Sequence, residues 1–130
     1  MFELSITTVT IALAPIVFAL IAMALDLVTG FAQAVKNKAV DSTKMRDGLW
    51  HKLGFVAAIV VGIVMEECLA NVDFGAGVQV QVPTTAVICA FIILTELVSI
   101  AENLASISPE LASVFGKILE LKSNIGKGDE

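Results

Sequence analysis

Charge is scarce in this sequence. Asp, Glu, Lys and Arg make up only 16% of its 130 residues, 57% are hydrophobic, and the mean hydropathy is +0.89. A soluble domain of this size cannot hide that much apolar surface inside itself, so the solvent must include lipid. Basic residues are few, 8 against 13 acids for a net charge of −5, which argues against a nucleic-acid partner. Two cysteines, Cys68 and Cys89, fall short of a metal cluster or a disulfide framework. They either pair across the loop joining their helices or lie buried as small apolar residues. No nucleophile, base and orienting group occur at useful spacing, and there is no phosphate loop and no cluster of metal ligands. The single histidine, His51, stands alone and reads as structural or solvated. An enzyme, a metal centre and a cofactor are therefore not expected. Internal repeats and low-complexity blocks are also missing, and without an inverted repeat a transporter of the paired-repeat kind is disfavoured.

What is present is three apolar runs. Spanning the hydrocarbon takes about 20 largely apolar residues per helix, so three spans and their connections consume nearly the whole chain as one membrane domain, 1–130. The first run, Ile6 to Val28, predicts a helix over about 6–33. Ala22-Met23-Ala24 resembles a signal-peptidase site, but no Lys or Arg precedes the run, so it is expected to stay as a membrane helix. The second run predicts a helix over about 53–70, barely long enough, and the third over about 84–107. Between the first two lies a polar loop, about 36–51. Ser108-Pro109-Glu110 then supplies a cap, a first-turn proline and a first-turn acid. Leu111, Val114, Phe115, Ile118 and Leu121 follow at helical spacing, which predicts an amphipathic helix over about 109–122 on a membrane surface.

Charge placement sets the expected orientation. Lys36, Lys38, Lys44, Arg46 and Lys52 face only Asp41 and Asp47 around the first connection, whereas the second, 71–83, has no Lys or Arg. The tail carries Lys117, Lys122 and Lys127. By the positive-inside rule the first loop and the C-terminus are cytoplasmic and the N-terminus is outside. Trp50, the only Trp, sits at the boundary as an interfacial anchor. In the outer connection, Val78-Gln79-Val80-Gln81-Val82 alternates after Gly75 and Gly77. It is either an extended connector or a short strand that pairs in a hairpin or between subunits.

The spans carry small and polar residues on defined faces. On helix 1, Thr8, Ala12, Pro15, Ala19, Ala22, Asp26, Gly30 and Gln33 share a narrow face, and on helix 2 Gly54, Ala58, Gly62 and Glu66 recur every four residues. Small side chains allow helices to approach closely in lipid, within one subunit or between subunits. On helix 3, Glu96, Ser99, Glu102, Asn103 and Ser106 lie within an arc of roughly 120°. Ionisable groups at membrane depth turn toward a protein interior or a wet cavity. Asp26, Glu96, Ser99, Glu102 and Asn103 are thus candidates for a pore lining or a polar interface. A plainer reading has Asp26 or Glu102 pairing with Lys52 near the cytoplasmic boundary. Glu96, about 18 Å along its helix, must be protonated, paired or wet.

Three stretches resemble a known family. They are Asp26-Leu27-Val28-Thr29-Gly30, the basic loop with Ser42, Gly48 and Lys52, and Glu96-Leu97-Val98-Ser99-Ile100-Ala101-Glu102-Asn103. In order and spacing, from about Asp26 to Leu121, they resemble the phage lysis and toxin secretion holins. The resemblance implies a small protein of the bacterial cytoplasmic membrane that clusters with its own copies and permeabilises the bilayer, so that an endolysin or a toxin can leave. It implies lipid, a homo-oligomer and an antiholin as partners, and no cofactor. Asp26, Thr29, Gly30, Lys52, Glu96, Ser99, Glu102 and Asn103 occupy the matching positions. The chain departs from the pattern after Asn103, where the family tends to have a Gly and two close prolines and this sequence has only Pro109. Its tail is also less basic, with Glu110, Glu120, Asp129 and Glu130. Two other readings compete: an antiholin or accessory subunit that never opens a hole, and a small ion or proton channel or transporter whose membrane acids form a relay.

Overall fold

A computed structural model of the chain describes residues 2–126 apart from 76 and 79, with side chains from 13 to 117 and at 120. The side chains of Thr8, Ala12, Gln79, Ile118, Leu121 and Lys122 lie outside the described residues, as do Lys127, Asp129 and Glu130 entirely. Four helices follow one another: α1 Phe2–Lys36, α2 Ser42–Asn71, α3 Thr84–Ile107 and α4 Pro109–Gly126. No strand occurs among the described residues, and Val78 and Val80 to Val82 carry no regular structure. The first three helices are each long and apolar enough to cross a membrane. At most a third of each apolar window is buried in the bundle. The chain exposes 9539 Å², where a compact soluble protein of 13.7 kDa exposes about 6,600 Å². Val28, Phe18, Val87, Phe91 and Leu94 are among the side chains left outward. This is an all-α integral membrane protein with three transmembrane helices.

Helix ends are set by local chemistry, and here the structure corrects the expected loop 36–51. Only residues 37–41 connect α1 to α2, because the Asp41 carboxylate accepts from the backbone N–H groups of Thr43 (2.8 Å) and Lys44 (3.4 Å) and starts α2 there. Hydropathy locates where a helix enters hydrocarbon, not where it begins, so the polar first turns of α2 were invisible to it. α1 ends at Lys36 in a left-handed cap: Lys38 has φ +54°, its N–H donates to Val35 O (3.1 Å), and Ala39 N–H donates to Ala34 O (3.0 Å). In the second connection Gly75 and Gly77 both take positive φ, which a glycine adopts without strain.

α1 and α3 run parallel and form the main interface. Ala19, Met23, Ile59, Cys89 and Ile92 make the core of the bundle, with Ile16, Phe55, Ile88 and Ile93 packed around them. α2 runs back antiparallel, packs on α3 and barely touches α1. At the ends of α1 and α3, Lys36 donates to the carbonyls of Ser106 (3.4 Å) and Ile107, placing a cation on the negative end of α3. Gln33 and Asn37 both reach Ser106 Oγ (3.3 Å each). Cys68 is exposed and Cys89 buried, and both are free thiols.

Candidate functional site

Three helices contribute one residue each to a buried ion cluster. Lys52 of α2 places Nζ 2.8 Å from Asp26 Oδ2 of α1 and 2.5 Å from Glu96 Oε2 of α3. The Glu96 side chain is only 3% exposed, that of Lys52 9% and that of Asp26 18%. Asn103 extends the cluster, its amide donating to Asp26 Oδ1 (3.1 Å) and to Thr29 Oγ1 (3.2 Å). The Thr29 hydroxyl in turn donates to the Asp26 carbonyl (3.2 Å). Gly30 packs beside this amide, and a Cβ there would stand 3.4 Å from Asn103 Nδ2. Among the described residues no buried side-chain nitrogen or oxygen lacks a partner. In a medium that offers no water, that completeness is what allows three ionisable groups to sit within a span.

The depth of the cluster follows from the helices. Asp26 lies about 15 Å along α1 from Lys36, and Glu96 about as far along α3 from Ile107, at a rise of about 1.5 Å per residue. A crevice of about 290 Å³ leads toward it between α1 and α2, from Asp41 and Lys44 past Gln33 to Asp26 and Lys52. On the side away from the α1–α2 connection, the Ala19, Met23, Ile59, Cys89 and Ile92 core stands between the cluster and the far ends of the helices.

The other candidate residues are placed differently. Glu102 is exposed and forms no ion pair or hydrogen bond with the cluster, Ser99 is half-buried, and Ser106 joins the α1 end instead. Ala19 and Ala22 are buried where α1 meets α3. The α2 ridge divides. Gly62 is buried, and a Cβ on it would meet Ile88 Cδ1 at 2.8 Å and Thr85 Cα at 3.3 Å, so this glycine serves contact with α3 inside the subunit. Ala58 is half-buried, and Gly54 is open with nothing within 4 Å. Trp50 is 66% exposed. Glu66 has a part that sequence reasoning missed: its Oε2 accepts from Thr85 N–H (3.1 Å) at the start of α3, where Pro83 offers no side-chain acceptor. An acid four residues beyond Gly62, on the same face, was the available signal.

Three apolar helices closed around one internally satisfied ion cluster define a small multi-pass membrane protein. Residues 6–123 match the profile of the bacteriophage holin family, and the chain belongs to that family. It is a holin-type protein of the bacterial cytoplasmic membrane. Neither the curated proteins nor the solved structures gave a match.

Proposed function

We propose that this chain is a holin that accumulates as an inert three-helix subunit, assembles with its own copies, and opens a lesion through which an endolysin or another protein cargo leaves the cell. The carrying observation is the closed cluster of Lys52, Asp26 and Glu96. A subunit whose membrane charges satisfy one another presents mainly apolar surface to lipid and does no damage. The same groups, once separated, turn the α3 face of Glu96, Ser99 and Asn103 into one that water can wet. Crowding in the membrane favours lateral contacts over isolated subunits. Loss of membrane potential adds a bias of about 2.3 kcal/mol per charge moved across 100 mV. In this reading the N-terminus is outside, the α1–α2 connection and α4 are cytoplasmic, and α4 rests on the inner leaflet through Leu111, Val114 and Phe115.

An antiholin or accessory subunit would be just as inert at rest, so the deciding experiment is inducible expression in a bacterium with and without a cytoplasmic endolysin. Abrupt lysis only when both are present supports a holin. Loss of ion gradients without enzyme release supports a narrow channel, and no effect supports a silent partner.

A further inference from the structure

α1 and α2 touch little, and beside the Lys52 to Asp26 ion pair they part to leave a cleft of about 600 Å³. Its walls are almost wholly apolar: Leu20 and Leu27 on α1 face Leu53 and Val56 on α2. The α2 positions continue the stripe to Trp50 and Arg46, so the cleft runs about 15 Å along the helices and ends on a guanidinium beside an indole. Among the described residues Arg46 has no carboxylate partner, whereas the ammonium of Lys52, at the floor, is turned away onto Asp26 and Glu96.

We propose that this cleft binds one anionic phospholipid, an acyl chain lying between α1 and α2 and the phosphate held by Arg46. The chemistry matches at each level. The walls suit a hydrocarbon chain, Trp50 suits the headgroup boundary, and the Arg fork suits two phosphate oxygens. No acid among the described residues neutralises Arg46, which favours a headgroup with net negative charge over a zwitterionic one. A transmembrane helix from a second copy fits less well, because the stripe terminates in a cation and its walls are mostly large side chains, with Ala24 the one small residue of the kind that close helix packing uses. The inference stands whether or not the chain forms a lesion.

Trp50 is the only tryptophan, so its fluorescence reports on this cleft directly. The full chain is reconstituted in phosphatidylcholine vesicles, and quenching by phosphatidylglycerol brominated on its acyl chains is compared with quenching by brominated phosphatidylcholine. The expected result is a preference of about fivefold for the anionic lipid, lost in Arg46→Gln and kept in Lys44→Gln, which removes the same charge from outside the cleft. Equal quenching by the two lipids overturns the proposal. So does an equal loss in both variants, which would mean a diffuse surface charge. Quenching by either lipid that falls as protein density in the vesicle rises overturns it as well, since a neighbouring subunit would then cover Trp50. Arg46 is exposed, outside the packed core, so its substitution leaves the fold in place, and Arg46→Lys should retain part of the preference.

Discussion

Lys52 Nζ lies 2.5 Å from Glu96 Oε2, and the same ammonium stands 2.8 Å from Asp26 Oδ2. One cation thus serves two carboxylates, and with all three groups ionised the cluster carries one net negative charge. The two kinds of removal are therefore unequal. Glu96→Gln leaves a one-to-one pair of Lys52 and Asp26 and keeps an oxygen for the ammonium, whereas Lys52→Met leaves two carboxylates facing each other without a cation. Breaking a buried pair in that way costs about 3–5 kcal/mol. Thermal unfolding in detergent should show Lys52→Met far less stable than Glu96→Gln. Unchanged stability in both variants would mean that the cluster does not hold the helices together.

The two glycines of the α2 ridge should separate packing inside the subunit from packing between subunits. A Cβ at Gly62 would collide with Ile88 Cδ1 and press on the backbone of Thr85 in α3, so Gly62→Leu should destabilise the subunit, by about 1–3 kcal/mol or more as overpacking does. Gly54 faces open space, so Gly54→Leu should leave the unfolding of the single subunit unchanged. If Gly54 lies at a contact between copies, its substitution alters the crosslinking ladder in membranes. An unchanged ladder assigns that face to lipid.

Glu66 offers a test of how α3 begins. Its carboxylate accepts from Thr85 N–H across the α2–α3 connection, so Glu66→Ala should cost about 0.5–2 kcal/mol, the usual range for a lost N-terminal cap. Glu67 is exposed and its carboxylate makes no such bond, so Glu67→Ala is the control. Similar melting of the two variants would remove Glu66 from the list of structural residues.

How much of this was legible follows from what hydropathy and helical period encode. Three apolar runs are enough to specify three spans, because backbone groups in lipid must be bonded within each segment. The relative register of the helices is not in the period. The sequence pairs Lys52 with Asp26 or Glu102, both close to the expected boundary, but parallel packing of α1 and α3 brings Glu96 to the level of Asp26 and leaves Glu102 outside. An arc of 120° is wider than the contact that one neighbouring helix makes, so not every residue on it could face inward. Lys52 reaches Glu96 because α2 starts ten residues before it, in a segment that polarity alone assigns to a loop.

Orientation can be checked by labelling. Val78 and Val40 are both exposed and lie in the two connections. In a Cys68→Ser background, which removes the exposed native thiol, Val78→Cys should react with a membrane-impermeant maleimide on intact cells, and Val40→Cys only after the cells are opened. The expectation rests on the basic residues clustered around the first connection and missing from the second. Reaction of both from the same side would refute three crossings.

Glu96 also separates a lesion-lining role from a purely structural one. Glu96→Gln removes the charge but keeps size and hydrogen bonding, while Glu96→Leu removes both. Neither leaves a carboxylate at this position, and Lys52 still has Asp26 in each, so both variants should insert and accumulate. If α3 turns this face to water in the assembled lesion, Leu delays or abolishes permeabilisation because an apolar position resists wetting, and Gln falls between Leu and the parent. Lysis timing in cells carrying an endolysin, read beside the amount of each variant in the membrane, makes the measurement. Poor accumulation of both variants would assign Glu96 to holding the three helices together. Equal accumulation with unchanged timing in both would remove it from the lesion, and the functional weight would pass to Asp26 and to Glu102, whose carboxylate is exposed at the end of the same helix.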